Sequence, residues 1–175
     1  MTVNEFENEG FDQAAPPVGA RPSFAQFRDR LLLIRPTGIE KNVPNDLQPG
    51  TFKDRVTADV VFLDGDTITD KIDDDGAHTE LDEPIRPGDI MEDYWISQTL
   101  IVRQVKGKIG ATVNPWILGR LTKLPPKQKG RKGAWSLAPF TPDDAKRATS
   151  WMRAQSKKEA ERAKAPAKVE DDPWD

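Results

Sequence analysis

At 175 residues, 36% of them hydrophobic and 31% charged, the chain is long enough for one domain with a core and too short for two. The absence of Cys excludes a disulfide framework and a thiolate site, and no apolar run reaches the roughly 20 residues needed to span a bilayer. The net charge of -3 hides a sorting by position: residues 1–100 carry 9 Lys/Arg against 21 Asp/Glu, residues 101–168 carry 17 against 4, and the last seven carry none against 4. The start of the chain is acidic and lacks an apolar h-region, so no signal peptide is expected and a cytoplasmic setting is the default.

Residues 1–22 read as a flexible acidic arm, and a domain over residues 23–140 follows. Arg28 to Thr37 holds the run Leu31, Leu32, Leu33 and Ile34 and meets Arg35-Pro36-Thr37-Gly38, the pattern of a buried strand ending in a turn. From Thr51 to Leu63, Phe52, Val56, Ala58, Val60 and Phe62 fall at even positions, a period of two that predicts a long strand with this set facing inward. Asp64-Gly65-Asp66 closes it, and an acidic loop is expected as far as Pro87-Gly88. Ile90 to Gln98 reads as a third strand. The period then becomes four at Ile101, Val105 and Ile109, which predicts a short amphipathic helix ended by Gly110. Trp116 to Thr122 and Ala134 to Phe140 are two more strands, joined by a loop from Lys123 to Gly133. The expected fold is mainly β: a five-stranded OB-like barrel with a short helix between strands 3 and 4 and a C-terminal helix. Thr141-Pro142-Asp143-Asp144 supplies a hydroxyl N-cap, Pro at the first helical position and acids at the positive end of the dipole, so the C-terminal helix is placed at 141–165. Its first half should pack on the barrel. Residues 166–175 are left as an acidic tail.

The basic stretch carries the functional expectation. Arg103, Lys106, Lys108, Arg120, Lys123, Lys127, Lys129, Arg131 and Lys132 succeed one another with no acid between them, around Trp116 and Trp135. Single-stranded nucleic acid asks for this combination, since cations track phosphates while aromatic faces stack on bases at roughly 1–3 kcal/mol each. The plainer reading makes both Trp core residues and the lysines a solvated loop. Trp95 is a third candidate: Tyr94 and Trp95 face opposite sides of their strand, and alternation with Ile96 groups Tyr94 with the apolar set. Asp64, Asp66, Asp70, Asp73, Asp74 and Asp75 are dense enough for a hard cation, but an EF-hand frame begun at Asp64 puts Thr69 where Gly is needed, so no metal is expected. His78 is the only imidazole and lies in the same loop. With no phosphate-binding Gly loop and no nucleophile elbow, neither an enzyme nor a cofactor is expected. In the tip, Asp171, Asp172, Pro173 and Trp174 form an acidic, Pro-stiffened peptide with one aromatic anchor, suited to docking on a partner protein.

The segments Leu31-Leu32-Leu33-Ile34-Arg35-Pro36-Thr37, Thr57-Ala58-Asp59-Val60-Val61-Phe62-Leu63-Asp64-Gly65, Ile117-Leu118-Gly119-Arg120-Leu121 and Trp135-Ser136-Leu137 resemble the small single-stranded DNA-binding proteins of phages that infect actinobacteria. The likeness covers residues 28–152 loosely. It implies an OB-fold that coats single strands without sequence preference during phage DNA replication or recombination, in the host cytoplasm. It also implies recruitment of replication or recombination proteins through the tail. In bacterial relatives the tail ends in a terminal Phe; here Asp175 follows Trp174, so the aromatic ring and the terminal carboxylate do not share a residue. Two rivals remain: a phage structural or assembly protein that associates with itself through its oppositely charged halves, and a metal-dependent nuclease using the aspartates. The sequence leaves homo-oligomer formation open.

Overall fold

The run Leu31–Ile34 is buried on both sides, which is why it is apolar without alternation. It opens strand β1 (Leu31–Pro44), and β1 pairs antiparallel with β2 (Phe52–Phe62) on one side and with β6 (Ile117–Lys123) on the other. The computed structural model describes residues 19–45, 48–127, 129–130 and 132–164; the acidic arm before residue 19 and the tail after residue 164 lie outside them. β5 (Met91–Ile96) pairs with β2, and β7 (Trp135–Ala138) pairs with β6. The result is a five-stranded antiparallel sheet in the order β5-β2-β1-β6-β7. Helix α1 (Thr99–Val105) joins β5 to β6, and α2 (Pro142–Lys164) follows β7. The chain is therefore mainly β with a C-terminal helix, as the periodicities predict. Among the described residues no pairing joins β5 to β7, so the sheet is open where a barrel would close.

Leu32, Ile34, Val56, Ala58, Val60, Phe62, Leu121 and Leu137 line the inner face. Phe24 and Phe27, from a 3-10 turn at Phe24–Phe27, and Ile101, Val102 and Val105 of α1 complete the same core. Each large side chain so buried stabilises by about 1.5–3 kcal/mol. On the outer face Leu33 and Val61 meet Ala148 of α2, with Trp116, Leu118 and Trp151 packed around them. Trp151 also donates its indole N–H to Gly88 O at 2.8 Å. Past Met152 the helix is almost wholly exposed, as its thinning apolar face predicts.

Three expectations are corrected. β1 does not end at Pro36 but runs on to Pro44 through a register shift between Pro36 and Gly38. β6 pairs with β1 only as far as Ile34, so Pro36 falls where one side of the strand is open and a missing N–H is tolerated. Phe52 does not face inward: it lies at the far end of this long hairpin, beyond the core, and is 64% exposed. The acidic stretch read as a loop contains a hairpin, β3 (Ile68–Ile72) with β4 (His78–Ile85), which buries only Ile68 and Leu81.

Side-chain amides satisfy two strand edges. Gln26 donates to Asp70 O at 2.8 Å and accepts from Ile72 N at 3.0 Å, attaching β3 to the Phe24–Phe27 turn. Gln104 of α1 accepts from Leu137 N at 2.9 Å and donates to Leu137 O at 3.2 Å, so the helix takes the place of a strand along β7. Replacing Gln104 with Ala or Met leaves both backbone groups of Leu137 without this partner and is expected to lower unfolding stability by about 1–3 kcal/mol. Urea denaturation checks this; if the contact were only packing, Met would restore wild-type stability.

Candidate nucleic-acid interface

The loop between β6 and β7 is held at its root by a tight backbone approach. Leu124 N donates to Ala134 O at 2.7 Å, and a Cβ on Gly133 would sit 1.8 Å from Leu124 O, so only glycine fits there. This root and α1 form the two walls of a cavity of about 570 Å³. Arg103 comes from the helix, Lys127 and Lys132 from the loop, and Trp135 from the first position of β7. Trp135 is half-buried: its ring meets Phe24 edge-on at 6.3 Å, and Lys123, its partner across the β6/β7 ladder, holds Nζ 5.2 Å from the ring centroid. Arg103, Lys123, Lys127, Lys132 and Trp135 are thus brought together. Lys129 is exposed further out on the same loop; Arg131 lies outside the described residues, as do Asp171, Asp172, Pro173 and Trp174.

The other candidates lie elsewhere. Lys106 and Lys108 are exposed on a 3-10 turn after α1, where Lys106 faces Ile39, Asn42 and Asp54 of the β1/β2 hairpin. Trp116 is on the outer face, T-shaped against Trp151 at 5.2 Å with the Arg35 guanidinium 4.5 Å from its ring centroid. It packs α2 onto the sheet, away from the cavity. Tyr94 points inward, 6% exposed, and donates its hydroxyl to Pro22 O at 2.6 Å; burial raises its pKa above the ordinary value, so it stays protonated. Trp95 points outward, 61% exposed, with the Arg55 guanidinium 3.9 Å from its ring centroid. Arg55 is itself held by Glu40 at 2.7 Å.

Arg120 is the clearest departure from the expected binding set. Its guanidinium donates to Asp64 at 2.8 Å, Asp144 at 3.0 Å and Asp29 O at 2.8 Å, and the bond to Asp64 leads the causes that raise its pKa. Two carboxylates already neutralise this cation, so it is not free for a phosphate. Asp144 closes the expected cap of α2: it accepts from Thr141 N at 2.9 Å, and its own N–H donates to Thr141 Oγ1 at 3.1 Å. The Thr141 N–H, followed by Arg120, pulls the Asp144 pKa below 3.8.

Sequence reasoning missed Arg55. The period of two in β2 places it outward with Thr57, but only the register, Thr57 opposite Trp95, brings it beside the indole. Comparison with family models, curated proteins and solved structures found no match.

The depressed Asp144 pKa has a signed consequence. A carboxyl whose folded pKa lies below its unfolded value contributes stability that is present above that unfolded value and lost as pH falls through the folded one. Asp144→Asn is therefore expected to flatten the loss of stability below about pH 3.8 while lowering stability at neutral pH. Thermal unfolding across an acid pH series checks it; parallel wild-type and variant curves would count against the assignment.

Proposed function

We propose that the chain binds single-stranded DNA without sequence preference, through the cavity between α1 and the β6/β7 loop. The observation that carries this is the convergence of Arg103, Lys127 and Lys132 on Trp135, three cations around an accessible aromatic ring. A strand laid there stacks a base on Trp135, taking the ring face over which Lys123 now stands, and leaves that ammonium for a phosphate. Phosphate contacts supply affinity without reading sequence, and stacking tolerates every base.

The strand order supports the same reading. In sequence, the sheet's strands are three consecutive antiparallel ones, interrupted by the β3/β4 hairpin, then α1, then a final hairpin. That order is compatible with the OB plan, in which the last inter-strand loop borders the nucleic-acid groove. We read the sheet as an OB-like barrel in which α1 and Gln104 stand at the unclosed seam. The resemblance to phage single-stranded DNA-binding proteins adds a setting: protection of single strands during phage replication or recombination, with the tail recruiting a protein partner.

Fluorescence anisotropy of labelled oligo-dT against a duplex of equal length, over a salt series, tests the proposal. The expected result is preferential binding of the single strand, weakening with salt, together with quenching of Trp emission. Changing Lys127 and Lys132 together to Ala is expected to reduce the slope of log K against log salt by about 1.4, at about 0.7 per single-strand phosphate contact. The Lys106 and Lys108 pair, outside the cavity, serves as the control. Equal, weak binding of both nucleic acids would turn the basic cavity over to a protein partner.

A further inference from the structure

Trp95 stands outside the α1/loop cavity, yet it borders a larger one. A cavity of about 700 Å³ opens between residues 19–23 and β5, with Arg21, Ser23, Lys71, Asp93, Tyr94 and Trp95 in its wall. Its lining is largely apolar, which suits a flat ring more than a hydrated ion. One face of the Trp95 indole is covered by Arg55, and Glu40 fixes that guanidinium from behind. The ring is therefore held in place while 61% of the residue remains exposed.

The backbone is shaped to present it. The β2/β5 register shifts between Ala58 and Val60, and Asp93 takes a positive φ of 54° beside the shift, with its N–H bonded to Asp59 at 3.3 Å. A bulge of this kind turns the next side chains out of the regular pleat. Arg21 is anchored on Glu92 O and Tyr94 on Pro22 O, so both walls are tied to β5. Charge adds a second argument. Between Asp64 and Asp93 the chain carries twelve acids and only two cations, Lys71 and Arg86, and Lys71 is in this wall. The surrounding acidic surface repels a phosphate backbone, whereas Arg21 offers it a foothold here, and so does Lys71, whose carboxylate partner, Asp73 at 3.6 Å, forms a solvent-exposed pair that a phosphate can replace, unlike the three short bonds that hold Arg120.

The two cavities are near neighbours. Gln98, in the wall of the first, follows Trp95 by three residues, so their Cα atoms are at most about 11 Å apart. Inside, Phe24 touches both Tyr94 and Trp135, at 6.5 and 6.3 Å between ring centroids.

We propose that Trp95 and the cavity beside it form a second base-seating site. One nucleobase of the strand held at Trp135 stacks on the free face of Trp95, and its phosphate lies on Arg21 and Lys71. This rests on the single-strand reading and extends it: the strand's path runs from the loop across the start of α1 to β5, and Arg21 and Lys71 join the binding set.

The test is affinity for a ladder of oligo-dT lengths, measured for the wild type, Trp95→Leu, Trp95→Phe and the double variant Arg21→Ala with Lys71→Ala. Wild-type affinity should rise by about 5- to 150-fold once the strand is long enough to reach Trp95. Trp95→Leu should abolish that step and leave the shortest strands unaffected, while Trp95→Phe keeps part of it. Abasic positions at one end of a long strand should remove the step in the wild type. The double variant should lower the salt slope by about 1.4 for long strands only. If Trp95→Leu follows the wild-type curve at every length, the second site is overturned while the first stands. If the wild type binds no strand of any length, both fall together.

Discussion

The placement of both walls of the candidate interface depends on how one open strand edge is satisfied. β7 is four residues long and, among the described residues, pairs with β6 alone, leaving its other edge without a strand. An unsatisfied backbone edge is costly when buried and invites pairing with another chain when exposed. Here Gln104 supplies an acceptor and a donor to Leu137 from α1, so the helix lies along β7 at hydrogen-bonding distance. That contact sets the spacing between α1 and the root of the β6/β7 loop. Ile101, Val102 and Val105 anchor the same helix in the core.

Charge is sorted along the sequence but recombined in space. Asp64, from the acidic half, pairs with Arg120 and lies 3.6 Å from Arg147, both from the basic half. Asp59 holds Arg35 at 2.7 Å, and Glu40 holds Arg55 at 2.7 Å. The outer face is therefore a set of closed ion pairs that spend their geometry on positioning: Arg120 fixes the start of α2, Arg35 lies on Trp116, and Arg55 lies on Trp95. Among the described residues no such ion pair is formed by Arg103, Lys127 or Lys132. A count of cations along the chain overstates the interface because it treats these two groups alike.

The strands of the large sheet were legible from two kinds of pattern: β1 from the unbroken apolar run Leu31–Ile34, and β2 and β5 from a buried face of period two, Val56, Ala58, Val60 and Phe62 on β2 and Tyr94 and Ile96 on β5. The helices were legible from Thr141-Pro142 and from the spacing of Ile101 and Val105. The β3/β4 hairpin was not, because one buried residue per strand, Ile68 and Leu81, makes no period. Phe52 was misread because periodicity reports the face of a strand but not how far the core extends beneath it. In the candidate site, charge and aromatic interleaving pointed to Lys127, Lys132 and Trp135, which the fold brings to one cavity. The difference between Trp116 and Trp135 was not. Each sits at the start of a strand among basic residues, and only the packing of α2, which brings Trp151 to Trp116, assigns one to the outer face and the other to the cavity.

The fold also grades in how firmly its parts are held, and the grading runs toward the interface. β1 and β2 are paired on both sides over part of their length, and Leu33 and Val61 lie beneath α2. β7 has four residues and, among the described residues, one strand partner and a side-chain amide in place of a second strand. The loop that carries Lys127 and Lys132 is fastened at its root by Leu124 and Ala134. Local opening free energies follow such differences in burial and pairing. The single strand proposed as ligand varies in base and backbone path, and such a ligand is best met by a wall that can adjust, on a base that does not. The deeply paired β1/β2 centre provides the base, and the short β7 with its loop provides the wall.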